Sequence, residues 1–146
     1  MNEVVIRSMQ ETDLVQVCEI EKRNFSLPWS EKSFSDSMKR EDTVFLVAVD
    51  QSVIAGYVGC YCIDCVGEIT NVAVKDAYRR KGIARALLTA LYEKSCMMDT
   101  KEFFLEVRES NMAAIALYES QGFVREGIRK NFYEQPTEHA VIMWKR

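Results

Sequence analysis

The hydrophobic pattern of the chain changes its period in the middle, around residues 79–82. Before this point, residues 45–49, 53–62 and 68–74 are rich in side chains that favour strands, and short polar segments separate them. After it, apolar residues recur every three or four positions to about Met98, which predicts one long helix. Three successive strands form an antiparallel meander, so the fold must combine a sheet with a helix that covers it.

Two shorter helices are predicted ahead of the meander. A strand over residues 4–9 is followed by Thr12, which we expect to be the N-cap of a helix that ends near Asn24. Ser30 is the expected N-cap of a second helix, which ends near Arg40. The N-terminal part therefore contributes one strand and two helices.

Strands and helices alternate in the second half. The pattern predicts strands over residues 103–107, 123–129 and 140–144, and a helix over residues 111–121 that stops at Gly122. The order β α α β β β α β α β β is typical of a mixed α/β (α+β) sheet, antiparallel in its N-terminal half, with a parallel strand pair beside the central helix. With neither linker nor internal repeat, the 146 residues are expected to form one domain.

Charge and apolar runs argue against two classes of partner. The chain has 22 acidic and 19 basic residues, a formal net charge of −3, whereas nucleic-acid and anionic-membrane binders depend on excess Lys and Arg. No apolar run approaches the roughly 20 residues that cross a bilayer, and the first ten residues do not resemble a secretory signal. We therefore expect a cytoplasmic protein that binds neither nucleic acid nor membrane directly.

The five cysteines favour reduced thiols over a disulfide framework, because their number is odd and two lie within apolar segments. Cys60, Cys62 and Cys65 form a cluster that suggests a metal site. A structural zinc ion usually takes four ligands, however, and the chain has one histidine, His139. We expect no metal site and interpret these cysteines as small apolar residues of a strand.

Residues 79–84 have the chemistry of an anion-binding turn. They lie between a predicted strand and the long helix, whose first backbone N–H groups have no partner within the helix and carry the positive end of its dipole. Gly82 permits a close approach of the backbone, Ala84 is small, and Arg79 to Lys81 with Arg85 add positive charge. Neither common nucleotide-binding glycine motif is present, so from this turn alone a solvated basic helix start is favoured over an anion site.

The same segment resembles the Arg/Gln-x-x-Gly-x-Gly/Ala signature of the GNAT family of N-acetyltransferases, in which this turn holds the pyrophosphate of acetyl-CoA. The predicted order of elements is also similar to that of the family over nearly the whole chain. The resemblance implies the GNAT acyl-CoA N-acyltransferase fold, with acetyl-CoA as co-substrate. It implies that the following residues contact acetyl-CoA: Val72, Ala73, Val74, Arg80, Lys81, Gly82, Ile83, Ala84, Arg85 and Asn111.

Several other blocks resemble the bacterial members of the family that acetylate the N-terminal alanine of ribosomal protein S18. These blocks are residues 25–30, 71–74, 105–108, 111–118, 122–123 and 129–133. The resemblance implies that the N-terminal peptide of S18 is the partner. It also implies that Glu106 is the proton acceptor and Tyr118 the proton donor. From the pattern alone, Glu106 is equally expected to face solvent or to pair with Arg108 instead of acting as a base. Tyr118 is expected to be an ordinary residue of the apolar core.

The sequence indicates the acceptor substrate less narrowly than it indicates the reaction. The aromatic-rich segments 25–29 and 131–133 are candidate walls of a peptide groove. Aromatic side chains at such positions are as often ordinary packing residues. Other protein N-termini, a lysine side chain and a small amine remain alternative acceptors, because a fold does not determine its substrate. A non-catalytic acetyl-CoA-binding module is a further alternative. It would need neither the base nor the acid.

Overall fold

The computed structural model describes residues 4–146, which form seven strands, four α-helices and two short 3-10 turns. The strands are β1 Val5–Ser8, β2 Thr43–Asp50, β3 Val53–Ile63, β4 Val66–Val74, β5 Glu102–Arg108, β6 Val124–Tyr133 and β7 Glu138–Lys145. The helices are α1 Leu14–Asn24, α2 Glu31–Met38, α3 Ile83–Cys96 and α4 Met112–Ser120, and the 3-10 turns are Glu11–Asp13 and Asp76–Tyr78. Every predicted element is present.

The strands form one mixed sheet in the order β1-β2-β3-β4-β5-β7-β6. β4 and β5 run parallel, joined by the crossover through α3, and all other neighbouring pairs run antiparallel. The predicted mixed α/β sheet is therefore confirmed, including its antiparallel first half and its parallel pair beside the central helix.

The helices cover the two faces of this sheet with separate apolar cores. Side chains alternate along β2, so that Leu46 packs in the core under α3 and α4, and Val47 in the core under α1 and α2. Leu87 of α3 is fully buried in the first core, and Phe34 of α2 in the second. Each face is thus covered over part of its area by one pair of helices.

One predicted helix start is wrong. A 3-10 turn precedes α1, which begins at Leu14, and Thr12 is not its N-cap. The buried carboxylate of Asp13 accepts a hydrogen bond from the backbone N–H of Gln10 at 2.8 Å and pairs with Arg7 at 2.7 Å. These contacts tie the start of the helix to β1 through Asp13 rather than through the neighbouring threonine.

The other predicted helix ends agree with the structure to within about two residues. Ser30 caps α2, since its Oγ accepts the backbone N–H of Ser33 at 3.1 Å, although the helix ends at Met38. Gly122 follows α4 with φ +96°, the left-handed conformation expected of a residue that stops a helix. Among residues 4–146, no helix is both long and apolar enough to span a membrane.

Candidate active site

The parallel strands β4 and β5 separate soon after they begin to pair. The register joins Val66 to Glu102, Gly67 to Phe103 and Glu68 to Phe104, and ends there. One residue later, β4 carries a bulge: Gly59 and Cys60 of β3 are adjacent, but their partners on β4, Asn71 and Ile69, lie two residues apart. Thr70 is the extra residue.

The bulge changes which face each side chain of β4 occupies. Ile69 packs in the core under α3 and α4, whereas Ala73 packs in the core under α1 and α2. A bulge bends its strand and increases the local twist. The second half of β4 therefore diverges from β5, and a gap opens through the sheet.

A cavity of about 410 Å³ occupies this gap. Its wall is formed by both diverging strands, the segment after α1, the start and middle of α4, and the end of β6 with the following turn. The lining residues are Asn24 to Leu27, Ile69 to Val72, Leu105 to Arg108, Asn111, Ala114, Tyr118 and Phe132 to Glu134. The predicted residues Glu106, Tyr118, Asn111 and Val72 are thus brought together.

Glu106 reaches the cavity from the face of the sheet on which α1 and α2 pack, called the open face below. Its neighbours Leu105 and Val107 point into the core under α3 and α4, so Glu106 points to the opposite face. Its side chain is 14% exposed, and its Oε2 accepts a hydrogen bond from Arg129 at 2.8 Å. Both alternatives from the pattern are therefore wrong: Glu106 is not turned to solvent, and Arg108 pairs with Glu138 instead.

Tyr118 reaches the cavity from the other face. It lies on α4, and its ring packs edge-on against Phe123 at 5.7 Å between centroids. Burial, followed by the unfavourable interaction with Tyr133 and Tyr92, raises the pKa of the Tyr118 phenol above its ordinary value. The hydroxyl is therefore protonated at neutral pH, as the proton-donor role that the resemblance implies requires.

Further titratable groups surround the gap. Burial, and then the negative charge of Glu106, raises the pKa of Glu68 on β4. Burial, and then the charge of Glu106, also raises the pKa of Tyr133 to about 12. The charges of Arg129, for Glu68, and of Arg108, for Tyr133, oppose these two shifts in part, so charges of both signs surround the gap.

Asn111 is held at the start of α4. Its Oδ1 accepts the backbone N–H of Ala114 at 3.2 Å, which is the interaction of an N-cap. The same residue lines the cavity.

The predicted pyrophosphate turn lies outside the cavity, between the end of β4 and the start of α3. Val74 ends the strand, a 3-10 turn follows, and Gly82 precedes α3 with φ +78°. A Cβ built on Gly82 would meet no atom within 4 Å in the described part of the chain. The space beside Gly82 is thus open, and the first-turn amides of α3 have no partner within the helix, which suits an anion.

The side chains of this turn divide into two groups. Ile83 is buried and fixes the helix on the core, while Arg80, Lys81 and Arg85 are exposed. Arg85 donates to Ser120 Oγ at 3.2 Å, and the Nζ of Lys81 lies 5.7 Å from the Tyr78 ring centroid. Ala84 is partly buried.

Arg79 is occupied by contacts within the protein. Its guanidinium donates to Asn24 Oδ1 at 2.5 Å and pairs with Asp76 at 3.1 Å, so it fastens the turn to the end of α1. Ala73, Val74 and residues 80–85 do not line the cavity itself. These residues lie further along the chain, from the second half of β4 to the first turn of α3.

A buried polar group beneath the cavity was not found by sequence reasoning. The carboxylate of Glu21 is 2% exposed and accepts hydrogen bonds from the Tyr57 hydroxyl at 2.6 Å and the Trp29 backbone N–H at 3.0 Å. Asn71, whose Nδ2 lies 3.5 Å from the same carboxylate, has a buried Oδ1 with no hydrogen-bond partner among residues 4–146. In the sequence, the alternation of residue types along β4 is the one signal that places the side chain of Asn71 on a buried face.

The cysteine cluster is separate from the cavity. Cys60 is buried and Cys65 exposed, and the sulfur atoms of Cys60 and Cys62 lie 3.9 Å apart as free thiols. Within the described residues, no group of His, Cys, Asp and Glu side chains is arranged to hold a metal ion.

The family model of the GNAT acetyltransferases matches residues 14–123. The [ribosomal protein bS18]-alanine N-acetyltransferase of Escherichia coli (strain K12) is 38% identical over 142 residues, which are 94% of this chain and 94% of that protein. The crystal structure of the ribosomal-protein-S18-alanine N-acetyltransferase from Escherichia coli superposes with a TM-score of 0.89 at 35% identity, covering 98% of this chain and 93% of that one.

A more distant structure shares the fold. NAA60 of Arabidopsis thaliana, solved in complex with acetyl-CoA, superposes with a TM-score of 0.88 at 20% identity over 97% of both chains. The match of the family model to most of the chain, and the high identity of a relative over nearly its full length, identify the chain as a member of the GNAT family of acetyltransferases.

Proposed function

We propose that this protein transfers the acetyl group of acetyl-CoA to the N-terminal α-amine of a protein, namely the N-terminal alanine of ribosomal protein S18. The observation that carries the proposal is the gap between β4 and β5, where Glu106 and Tyr118 meet one cavity from opposite faces of the sheet. The Escherichia coli relative, whose name states this activity, matches nearly the full chain. An enzyme that modifies a ribosomal protein works in the cytoplasm.

The chain offers acetyl-CoA a continuous set of contacts. Beyond Glu68, the β5-facing edge of β4 has no strand partner within residues 4–146, so the backbone groups of Val72 and Val74 are available to the pantetheine arm as if to an added strand, while Ala73 between them pairs with Tyr57 of β3. Gly82 leaves room where a side chain would intrude, and the amides of residues 82–85 suit the pyrophosphate. Arg80, Lys81 and Arg85 add charge, and Asn111 contributes its side chain.

Bound acetyl-CoA supplies an activated acetyl thioester. A backbone N–H near Val74 is the group that we expect to stabilise the negative charge on the acetyl oxygen. No side chain is required for that role, which is consistent with the small and apolar residues along this part of β4.

Glu106 takes the proton of the acceptor. The α-amino group of a protein has a pKa of roughly 7.7–8.0, so most of it is protonated at neutral pH and cannot attack. A carboxylate on the open face of the gap attracts the ammonium group and accepts its proton. Arg129, 2.8 Å away, holds the carboxylate in place before the acceptor arrives.

Tyr118 gives a proton to the departing thiolate. Its raised pKa keeps the hydroxyl protonated, and its place on α4 puts it on the side of the sheet where α3 also begins. The base and the acid thus act from opposite faces. The proton that leaves the amine and the proton that reaches the sulfur therefore need not share a path.

The acceptor peptide enters from the open face. Phe25, Leu27, Phe132 and Tyr133 line the cavity together with Glu106 and provide apolar walls for the peptide.

The decisive test offers the protein two peptides with acetyl-CoA and measures their mass. One has the N-terminal sequence of S18 with a free α-amine, and the other has the same sequence with the α-amine blocked and a lysine available. We expect the mass of one acetyl group to be added to the first peptide alone. Acetylation of the lysine peptide alone would refute the proposed acceptor, and no transfer to either would favour an acetyl-CoA-binding module.

A further inference from the structure

We infer that Arg108 is a positioning residue that holds the two loops of the acceptor groove in register with the strand that carries Glu106. The inference rests on the proposed function, because it assigns the groove to the acceptor peptide. Arg108 is two residues beyond Glu106 on β5, and therefore points to the same face of the sheet. It lines the cavity.

The guanidinium of Arg108 contacts both loops at once. Its Nη2 donates to Ser26 Oγ at 3.0 Å, in the segment after α1, and to the backbone carbonyl of Glu134 at 2.8 Å, in the turn between β6 and β7. Its Nη1 donates to the carbonyl of Pro136 at 2.9 Å in the same turn. One side chain thus joins segments that lie far apart in the sequence.

Two further contacts fix the guanidinium itself. Nη1 also donates to Glu138 Oε1 at 3.2 Å, and the guanidinium carbon lies 4.6 Å from the centre of the Tyr133 ring. Glu138 Oε2 in turn accepts the backbone N–H of Ser110 at 2.5 Å, in the segment that leads to α4. The Arg108 side chain is only 24% exposed, so these charge-assisted bonds are partly shielded from solvent.

The joined segments are those that face the acceptor. Ser26 and Glu134 line the cavity together with their aromatic neighbours Phe25 and Tyr133. Ser26 also donates to the carbonyl of Glu134 at 3.2 Å, so the two loops already touch beside Arg108. A loss of Arg108 should therefore widen or misalign the groove and leave the acetyl-CoA track along β4 intact.

The arrangement requires arginine and is not satisfied by lysine. A planar guanidinium presents several N–H groups in fixed directions and stacks on an aromatic ring, whereas an ammonium is a single flexible point of charge. Lysine at this position would keep the charge and lose the simultaneous contacts. Arg108→Lys is therefore a specific perturbation of the link between the loops.

The matched control is Arg40→Lys. Arg40 also makes a two-pronged ion pair, with Asp42 at 2.9 and 2.8 Å, and its guanidinium carbon lies 5.0 Å from the centre of the Tyr61 ring. It does not line the cavity. The two substitutions therefore change the same kind of interaction in different places.

The experiment combines kinetics with hydrogen exchange. For Arg108→Lys we expect the KM for the S18 peptide to rise about tenfold, with an unchanged KM for acetyl-CoA, since charge-assisted hydrogen bonds of the fixed groove are lost. Amide exchange should become faster in residues 25–29 and 134–137. Arg40→Lys should change none of these quantities. Ser26→Ala, which removes one contact only, should shift the peptide KM in the same direction by less.

The outcomes separate this inference from the proposed function. If the unchanged protein acetylates the peptide but Arg108→Lys leaves the peptide KM within twofold, or raises the acetyl-CoA KM equally, the inference is wrong. If the unchanged protein does not acetylate the peptide, the proposed function fails, and the exchange data still decide. Unaltered exchange in both loops would then refute a role for Arg108 in holding them.

Discussion

Replacing Glu106 by glutamine removes the charge of the side chain and preserves its size. The carboxylate is 14% exposed and pairs with an Arg129 side chain that is 53% exposed. Because solvent screens a pair with one exposed partner, its loss should cost at most about 1 kcal/mol of stability. Glu106→Gln should therefore fold, and any large loss of activity reflects the chemistry.

The size of that loss follows from the ionisation of the acceptor. With an α-amine pKa of roughly 7.7–8.0, only about 9–17% of the acceptor is neutral at pH 7. General base catalysis contributes roughly 100-fold to 10,000-fold, so we expect kcat/KM of Glu106→Gln to be at least about 100-fold lower at pH 7. Between about pH 7 and pH 9.5 its activity should rise about six- to elevenfold, as the amine loses its proton to solvent.

The assay is the initial rate of CoA release with the S18 peptide, measured across this pH range. Glu126→Gln is the matched control, because Glu126 pairs with Arg146 at 2.6 Å and does not line the cavity. Arg129→Gln tests whether an unpaired arginine explains the loss, since it breaks the same ion pair and leaves the carboxylate. A Glu106→Gln profile parallel to that of the unchanged protein, or an equal loss in Arg129→Gln, would refute Glu106 as the base.

Three further substitutions give separable results. Tyr118→Phe should lower kcat by about 100-fold or more without changing the KM for acetyl-CoA, and an unchanged kcat in steady-state assays would remove Tyr118 as the acid. Gly59→Ala would place a Cβ 2.3 Å from Phe45 Cε1, so we expect a loss of about 1–3 kcal/mol in urea unfolding, and no loss would contradict the packing. Burial is the largest single influence on Asp13 and opposes its ionisation, but the hydrogen bond from Arg7, the backbone N–H of Gln10 and the charge of Arg7 together outweigh it and lower the pKa of Asp13. Its contribution is present above about pH 4 and lost below it, so Asp13→Asn should make urea-unfolding stability depend less on pH there, and an unchanged dependence would contradict this.

Local features of the fold could be predicted because the groups that create them are close in sequence. Ser30 and Asn111 each cap a helix through an amide three residues ahead, and Gly122 ends a helix through its own backbone conformation. Thr12 was a wrong N-cap because its neighbour Asp13 has a partner on β1. No pattern within the helix itself reveals such a partner.

The candidate site could be predicted only in part, for the same reason. Glu106 and Tyr118 are indicated by the resemblance to the family and not by the pattern alone, and their surroundings lie far away in the sequence: Arg129 is 23 residues from Glu106, and Ser26 is 82 residues from Arg108. The sequence pattern does not indicate which charged residue pairs with Glu106, or which polar residue contacts Arg108. The supporting contacts of the site thus depend on the register of the sheet, which the sequence pattern constrains only loosely.

The register also explains why the two charges of this reaction do not cancel within one pocket. In the proposed reaction, the anionic end of acetyl-CoA lies at the basic turn before α3, on one side of the sheet, and the ammonium of the acceptor lies at Glu106 on the other. A fully paired β4 and β5 would separate them by a continuous sheet. The pairing that ends at Glu68, together with the bulge at Thr70, opens the sheet at the position where the two reactants must meet. A substitution that removed the bulge would therefore reduce catalysis without altering any of the residues that bind or transfer protons.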